Sequence, residues 1–277
     1  MNPTLKYPGS KWRTADWIIS HMPPHKSYLE PFFGSGAVLF NKIPTQYETI
    51  NDVDGRVVQF FRTCREQPDA LAEALALTPW AREEFDAAHD CMPWDSEVER
   101  ARKFAVRCWM SFGGRLEKNG WRSTTAAFPN PGPCTTKIWH RVPDTVKAVA
   151  ERLLDVQIDN VPAVDVIRRF NGPECLIYAD PPYMRSTRTL SGDQYAHEMS
   201  DTDHEELLKA LLSHKGTVLL SGYKSDMYMD MLHGWRMVTH QERANLGAPR
   251  TECLWINPQG TDKQMTIEDV MIDGSDD

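Results

Sequence analysis

A glycine-rich turn at residues 30–36 follows one short segment near the start of the chain and precedes another. Residues 27–30 and residues 47–52 each have the pattern of a short strand, and the second ends in an acid. Residues 37–40 follow the turn directly and predict the start of a helix. A strand, a glycine turn, a helix and a second strand that ends in an acid form the opening of an α/β fold with a parallel sheet.

The alternation of strands and helices is interrupted after about residue 80. Residues 98–106 have the amphipathic pattern of a helix, and a polar, turn-rich stretch follows them. Within that stretch, Asn119 and Gly120 predict a hairpin turn between aromatic and basic neighbours. The predicted domains are a discontinuous α/β domain at residues 1–80 and 150–277 and an inserted, mainly helical-plus-hairpin domain at residues 81–149.

Strand and helix patterns return after the insertion. Residues 202–205 have the spacing of a capping box and predict the start of a helix whose leucines share one face. The other segments have the composition of buried strands: residues 155–158, 175–179, 217–221 and a terminal pair, 237–240 with 252–256. The repeated pattern supports one α/β sheet formed by the two ends of the chain.

Charge is unevenly distributed along the chain. The net charge of −8 at pH 7 by itself disfavours a polyanionic partner. Residues 100–152, however, contain eleven Lys or Arg and only three Asp or Glu, whereas residues 261–277 contain one Lys and six acids. The basic stretch predicts a face for a phosphate backbone, with an ordinary solvated surface as an equal alternative.

Several classes of protein are disfavoured by the composition. No stretch approaches the about 20 apolar residues that span a bilayer, and the N-terminus lacks the apolar core of a signal peptide. The six cysteines are scattered, without a C-x-x-C pair or a nearby His cluster. We therefore expect reduced thiols, no metal site, no membrane association and a cytoplasmic location.

Asp180, Pro181, Pro182 and Tyr183 directly follow one of the apolar segments. Ligands of open α/β sheets bind at the carboxyl ends of the strands, which is where this tetrad lies. Because two consecutive prolines remove two backbone donors, the site offers hydrogen-bond acceptors beside an aromatic ring. Such a site suits a planar group that carries an amine.

Three weaker signals accompany the tetrad. The turn at residues 30–36 allows the backbone to approach a ligand closely. Asp52, at the end of the second strand, suits the hydroxyls of a ribose, although by itself it more simply predicts a helix cap. Residues 6–11, Lys-Tyr-Pro-Gly-Ser-Lys, form a basic loop with the composition of a turn.

Together and in this order, the four features resemble the Dam-type DNA adenine methylases. The resemblance covers nearly the whole chain and is weakest at about residues 80–143 and after Pro258, and Ser10 stands where many relatives have Gly. It implies a Rossmann-like sheet of seven strands with an antiparallel last pair, an inserted target recognition domain, and S-adenosylmethionine as the cofactor. The residues that it assigns to the cofactor are Tyr7, Lys11, Glu30, Pro31, Phe32, Phe33, Gly34, Ser35, Gly36, Asp52, Ile158 and Asp180.

The activity that the resemblance implies is methyl transfer to the exocyclic N6 amine of adenine in double-stranded DNA. Asp180, Pro181, Pro182 and Tyr183 are the expected catalytic residues. The target adenine must leave the duplex to reach them, and stacking on Tyr183 offsets part of that cost. Acceptors at Asp180 and Pro181 then direct the lone pair of the amine toward the methyl group, so catalysis rests on positioning and electrostatics.

Residues of the predicted hairpin and of the loop after the tetrad are candidate DNA contacts. Trp121 either inserts into the gap left by the flipped base or packs within its own subdomain. A flap over the substrate is expected at residues 186–195. The candidate DNA-binding residues are Lys6, Arg115, Lys118, Asn119, Trp121, Arg122, Arg185 and Arg188.

Other functions remain open at this point. Similar tetrads serve enzymes that methylate RNA amines or protein amides, so an RNA amino-methyltransferase and a DNA cytosine-N4 methyltransferase are the alternatives. A DNA-binding regulator with a decayed active site is a different class, and the intact site residues oppose it. We expect a bacterial or phage protein that acts as a monomer or a homodimer, with Trp94 and Trp139 as exposed aromatics for such contacts. The recognised DNA word and a restriction partner are not predicted.

Overall fold

The computed structural model describes residues 1–112, 120–123, 135–188, 195–242 and 250–262. In these residues seven strands form one sheet in the order β3-β2-β1-β4-β5-β7-β6. The strands are β1 (Ser27–Glu30), β2 (Tyr47–Asn51), β3 (Val156–Asp159), β4 (Cys175–Ala179), β5 (Thr217–Gly222), β6 (Arg236–Glu242) and β7 (Arg250–Ile256). Strands β1 to β5 pair in parallel, and β7 pairs antiparallel with both β5 and β6. The predicted Rossmann-like sheet with its antiparallel last pair is confirmed.

Helices cover both faces of the sheet. The helices are α1 (Ala15–Ile19), α2 (Gly55–Glu66), α3 (Pro68–Ala76), α4 (Arg82–Ala87), α5 (Glu97–Met110), α6 (Thr135–Trp139), α7 (Val142–Arg152), α8 (Ala163–Arg169), α9 (Asp201–Leu212), α10 (Asp226–Met231) and α11 (Pro258–Asp262). Alternate residues of a strand point to opposite faces, so Leu176 and Tyr178 of β4 join one apolar core while Ile177 joins the other. Helices α1 to α7 contribute to the first core and helices α8 to α10 to the second.

Burial along the strands follows their place in the sheet. All five residues of the central strand β4 are buried, as expected for a parallel strand that helices cover on both faces. The edge strand β3 was also predicted to be buried, but only Val156 is. Among the described residues, β3 has β2 as its one neighbouring strand, and the sequence pattern does not distinguish an edge strand from a central one.

The predicted helix after the glycine turn is wrong. Residues 37–41 form consecutive turns, and the Asn41 side-chain amide donates to the Ala37 carbonyl at 2.7 Å. Gly36 has a φ of 70°, and a Cβ there would overlap the rings of Phe33 and Phe40. This tight reversal, which glycine permits, replaces a regular helix start.

The N-cap of helix α9 lies two residues before the start of the predicted capping box. The Ser200 hydroxyl accepts a hydrogen bond from the Asp203 amide at 3.2 Å, and the Asp203 carboxylate accepts one from the Ser200 amide at 2.7 Å. Ser200 is therefore the N-cap, and the sequence offered two overlapping boxes of the same spacing.

The segment predicted as an insertion packs on the same core as the sheet. Helices α5 and α7 contact α2 and α3, and Phe104 and Val146 belong to the first apolar core. Trp139 was expected to be exposed, but it is 2% exposed, and its indole N–H donates to the Thr78 carbonyl at 2.8 Å. Trp94 is 78% exposed, as expected. The domain boundaries themselves stay a prediction.

Backbone contacts join the two ends of the predicted hairpin. Ser111 and Trp121 form an antiparallel bridge, and the Phe112 amide donates to the Gly120 carbonyl at 2.8 Å. The Arg122 amide donates to the Met110 carbonyl at 2.7 Å. These contacts return the chain on itself as a hairpin does. Asn119 of the predicted turn lies outside the described residues.

Candidate active site

A cavity of about 390 Å³ opens at the carboxyl ends of the central parallel strands. Strand order reverses between β1 and β4, and crevices at such switch points are the usual ligand sites of open α/β sheets. Residues 31–36 and 52–54 are here called the turn side. Residues 180–183 with Gly9, Lys11 and Glu252 are here called the tetrad side; of these, Gly9, Lys11, Asp180 and Pro182 line the cavity, whereas Pro181, Tyr183 and Glu252 do not.

Most of the predicted cofactor residues line this cavity. The lining members of that set are Tyr7, Lys11, Glu30, Phe32, Phe33, Gly34, Ser35, Asp52 and Asp180. Pro31, Gly36 and Ile158 do not line it. Ile158 lies in β3 and packs against the first apolar core, and the Pro31 carbonyl accepts a hydrogen bond from the Asn51 side chain at 3.0 Å. The cavity thus brings together nine residues that are dispersed over 174 positions of the chain, from 7 to 180.

Asp52 is held by the backbone of the turn side. Its carboxylate accepts hydrogen bonds from the Gly34 amide at 2.8 Å and from the Asp54 amide at 2.9 Å. Burial raises the pKa of Asp52 to about 7, although both hydrogen bonds oppose the rise. An acid that is fixed in this way can receive the hydroxyls of a ribose without rearranging the turn.

Asp54 also lines the cavity, and sequence reasoning missed it. It caps α2, and its carboxylate accepts from the Arg56 side chain at 2.9 and 2.8 Å and from the Tyr7 hydroxyl at 3.4 Å. Burial opposes ionisation, but Arg56 lowers the pKa of Asp54. The sequence did contain a signal, because an acid two residues after Asp52 precedes an amphipathic helix.

Glu30 lies at the end of β1, between the turn side and the tetrad side. It is 3% exposed and accepts a hydrogen bond from the Tyr28 hydroxyl at 2.8 Å. Burial raises the pKa of Glu30 to about 8, with the Tyr28 hydrogen bond opposing the rise and Asp180 adding to it. The cavity therefore contains a carboxyl group that titrates near neutral pH and that a cationic ligand would favour as the anion.

The Lys11 ammonium lies beside the Asp180 carboxylate, the predicted hydrogen-bond acceptor of the tetrad. The ammonium lies 2.9 Å from Asp180 Oδ1, 3.0 Å from the Gly9 carbonyl and 3.6 Å from Glu252 Oε1. It also lies 4.8 Å from the centre of the Tyr183 ring. Burial alone would lower the pKa of Lys11, but Asp180 and Glu252 raise it above its ordinary value. The ammonium thus lies beside the acceptor that was predicted to receive an amine and over the ring that was predicted to stack on the base.

Tyr183 is anchored from behind by Glu252. The Tyr183 hydroxyl donates to Glu252 Oε1, and the Tyr223 ring meets the Tyr183 ring edge-on at 4.6 Å between centroids. Burial raises the pKa of Tyr183, and the nearby carboxylates of Asp180 and Glu252 add to the rise. Sequence reasoning missed Glu252, whose only local signal is an acid within an apolar strand.

Arg188 and Glu198 form a closed ion pair beside the tetrad side. Their side chains are 6% and 8% exposed, and Arg188 NH2 lies 2.7 Å from Glu198 Oε2. The guanidinium lies 5.4 Å from the centre of the Tyr195 ring, and Tyr195 lines the cavity above Gly9. The structure therefore commits Arg188 to an internal pair, whereas Arg185 is exposed. Of the predicted flap, residues 189–194 lie outside the described residues.

The structure describes three of the six other candidate DNA contacts, Lys6, Trp121 and Arg122. Arg115, Lys118 and Asn119 lie outside the described residues, and Lys6 is half-buried. Trp121 is half-buried and lies under the Arg82 guanidinium at 5.2 Å, which corresponds to the packing alternative. The Arg122 carbonyl accepts a hydrogen bond from the Trp80 indole at 3.0 Å, so its backbone is anchored.

Two features bear on the classes that composition disfavoured. In the described ranges, no helix is both long and apolar enough to cross a membrane. The same residues contain no group of three or more His, Cys, Asp or Glu side chains that could hold a metal ion.

The profile of the D12 class N6 adenine-specific DNA methyltransferase family matches residues 7–245. The chain belongs to this family. Nine lining residues of the cavity that had been predicted for the cofactor fall inside the matched range, as does the whole tetrad. The predicted activity, methylation of adenine N6 in DNA, is that of the D12 class, and DNA is the substrate of this D12-class enzyme.

Three relatives of this D12-class enzyme are methyltransferases by name, as the family assignment implies. It is 25% identical to the type II methyltransferase M.MjaIII of Methanocaldococcus jannaschii over 86% of this chain and 90% of that protein. It is 26% identical to the type II methyltransferase M1.LlaDCHI of Lactococcus lactis subsp. cremoris over 72% of this chain and 71% of that protein. A DNA N-6-adenine-methyltransferase of Escherichia phage P1 matches at 31% identity, but over only 24% of this chain and 9% of that protein.

Proposed function

We propose that this enzyme transfers a methyl group from S-adenosylmethionine to N6 of a flipped adenine in double-stranded DNA, within the cavity between the turn side and the tetrad side. The observation that carries the proposal is the Lys11 ammonium at the tetrad. A positively charged amine already lies on Asp180 and over the Tyr183 ring. These are the interactions that the amine and the ring of adenine require.

The residues of the turn side fit the cofactor. Gly34 has a φ of 50°, and a Cβ there would come to 3.1 Å from the Tyr7 ring, so a side chain would narrow the cavity. Asp52 and Asp54 supply acceptors for ribose hydroxyls, and Phe32 supplies apolar surface. When bound, S-adenosylmethionine supplies an electrophilic methyl group on a sulfonium centre.

The chain's own residues orient the acceptor. Asp180 and the Pro181 carbonyl hold the N6 hydrogens, which favours a nitrogen with its lone pair free for attack. Tyr183 stacks on the base, and Glu252 keeps its ring in place. N6 would receive the methyl group that S-adenosylmethionine supplies, and the thioether S-adenosylhomocysteine would be released. N6 then loses one proton, which the Asp180 carboxylate can accept.

The insertion has a role in the same proposal. We assign residues 81–149 to recognition of the DNA sequence and residues 1–80 with 150–277 to catalysis. The excess of basic residues in the stretch 100–152 supports contact with a phosphate backbone. The type II methyltransferases among the relatives support a place in a restriction–modification system, with action on DNA in the cytoplasm.

The test is methylome sequencing of a methylation-free bacterial host that expresses the protein, beside the same host with Asp180→Ala. We expect N6-methyladenine in one defined word, lost by at least a hundredfold in the variant because it lacks the acceptor of the amine. Binding of S-adenosylhomocysteine to the purified variant should stay within a few-fold of wild type. Unmodified DNA from folded protein, or full activity of Asp180→Ala, would contradict the proposal, and N4-methylcytosine would redirect it to cytosine.

A further inference from the structure

Glu252 is a buried acid at the start of the apolar part of a strand. It lies in β7, is 3% exposed, and is followed by Cys253 of the second apolar core and Leu254 of the first. It also lies beyond residues 7–245, the part of the chain that the family profile matches. A buried carboxylate is costly unless it is paired and hydrogen-bonded, so its two contacts at the tetrad side call for an explanation.

The two contacts of Glu252 connect it to two different parts of the proposed adenine site. Its Oε1 atom accepts a hydrogen bond from the Tyr183 hydroxyl and lies 3.6 Å from the Lys11 ammonium. Lys11 is 8% exposed and is closer to Asp180, at 2.9 Å. Among the described residues, Asp180 and Glu252 are the carboxylates within ion-pair distance of Lys11.

An adenine that stacks on the Tyr183 ring and bonds to Asp180 Oδ1 takes the place of the Lys11 ammonium, which lies 2.9 Å from that oxygen and 4.8 Å from the centre of the ring. The displaced ammonium would remain buried, and a buried ammonium without a counter-charge is strongly unfavourable. Glu252 already lies within reach of the same ammonium, so a small movement away from Asp180 preserves an ion pair. The movement also leaves the face of the Tyr183 ring, over which the ammonium now lies, free for the base.

We propose that Glu252 is a positioning residue that takes over the Lys11 ammonium when the target adenine occupies Asp180. This inference rests on the proposed function, since it requires that Asp180 receives the adenine amine. Glu252 does not touch the reacting atoms. It acts through Lys11, whose charge it accepts, and through Tyr183, whose ring it anchors.

The variant that isolates the charge is Glu252→Gln. The glutamine carbonyl can still accept from the Tyr183 hydroxyl, but it offers no negative charge to Lys11. The probe is a duplex that contains 2-aminopurine in place of the target adenine of the word found by methylome sequencing. At saturating enzyme and S-adenosylhomocysteine, we expect the rise in fluorescence that reports the flipped base to fall at least fivefold in the variant. Glu252→Asp, which keeps the charge, should recover part of it.

A double-mutant comparison distinguishes a Glu252 that receives the Lys11 ammonium from a Glu252 that has a merely structural role. In a Lys11→Met background no ammonium has to move, so adding Glu252→Gln should change the flipping signal by less than twofold. An equal loss in the wild-type and Lys11→Met backgrounds would overturn the inference. So would a full signal in Glu252→Gln, or equal losses in Glu252→Gln and Glu252→Asp.

A matched control guards against loss of folding. Glu48 is also 3% exposed and pairs with Lys42 and Arg152, each at 2.5 Å, away from the tetrad. Glu48→Gln should lower the melting temperature and leave the flipping signal unchanged. Failure of the proposed function would look different, because wild type would then give no flipping signal or Asp180→Ala would keep it. If wild type flips, Asp180→Ala does not, and Glu252→Gln behaves as wild type, this inference alone fails.

Discussion

Asp52, on the turn side, accepts hydrogen bonds from two backbone amides, whereas Asp180, on the tetrad side, is paired with the long side chain of Lys11. Both acids line the same cavity at the ends of parallel strands. The backbone partners of Asp52 cannot leave without unfolding the turn. The partner of Asp180 can leave by changing rotamers, with Glu252 as a second acceptor nearby.

This difference suits the two ligands of a methyltransferase. A cofactor that is bound in the same way in every turnover is served by a preformed site, which avoids the cost of ordering at the moment of binding. A base that must first leave the duplex is suited by an acid that another amine occupies in the meantime. The Lys11 ammonium does this for Asp180, so the buried acid remains paired until the base arrives. We therefore propose that the turn side is rigid and that the tetrad side is exchangeable.

The largest effect that tests this contrast is on stability, through two glycines. A Cβ at Gly36 would overlap the rings of Phe33 and Phe40 within the core, and its φ is 70°. A Cβ at Gly9, with a φ of 71°, would overlap only the hydroxyl end of Tyr195, which can move. We expect Gly36→Ala to lower the free energy of unfolding by about 2–4 kcal/mol and Gly9→Ala by about 1 kcal/mol.

Urea unfolding of both variants measures the two losses, and wild type with unchanged m-values is the control. Equal losses would show that the two sides of the cavity are equally rigid and would remove the contrast. Gly9→Ala, on the tetrad side, should instead change the methyl-transfer activity, because a displaced Tyr195 alters the surroundings of Lys11.

The sheet and the tetrad could be predicted because their signals are local. The apolar run of β4 followed by Asp180 encodes both a buried strand and an acid at its carboxyl end. The turn after β1 was predicted as a close approach of backbone, but the helix expected after it was wrong. Local apolar periodicity at residues 37–40 did not show that Gly36 would adopt a positive φ and pack two rings together.

Glu252 could not be predicted because its role depends on a distant contact. Nothing near it in sequence indicates that β7 lies beside β5, or that its side chain reaches Lys11 and Tyr183. Ile158, which was assigned to the cofactor, does not line the cavity and packs against the first apolar core, a contact that its local sequence does not indicate. Trp139 was read as a surface aromatic because helix α6 is too short to show which of its faces is buried.

A smaller effect concerns cofactor affinity. Asp52→Asn keeps one acceptor but loses the charge and half of the hydrogen bonds to the turn, so S-adenosylhomocysteine should bind roughly tenfold more weakly. Asp180→Asn, on the exchangeable side, should change that affinity by less than about threefold. Isothermal titration calorimetry on both variants measures the difference. Equal weakening would mean that the cofactor relies on both sides alike.

The smallest effect is a pH dependence of the cofactor affinity, which Asp52 of the turn side should cause. Burial raises the pKa of Asp52 to about 7, and the ribose hydroxyls are best received by the carboxylate. Binding then favours loss of a proton below that pKa. Because the protonated acid should bind the ribose about as weakly as the Asp52→Asn variant does, the affinity for S-adenosylhomocysteine should fall only about fivefold from pH 8 to pH 6 and be constant above about 8.

Calorimetry between pH 6 and 9 in buffers of different ionisation enthalpy would measure both the affinity and the proton released. Asp52→Asn should remove the dependence at its acid end. Glu30→Gln is the necessary control, since burial raises the pKa of Glu30 to about 8 and this group faces the same cavity. If the pH dependence of the affinity persists in Asp52→Asn and disappears in Glu30→Gln, the titrating group is Glu30 at the end of β1 and not Asp52 of the turn side. The proton would then report the cationic α-ammonium of S-adenosylhomocysteine and not its ribose, because a nearby cation favours the ionised Glu30.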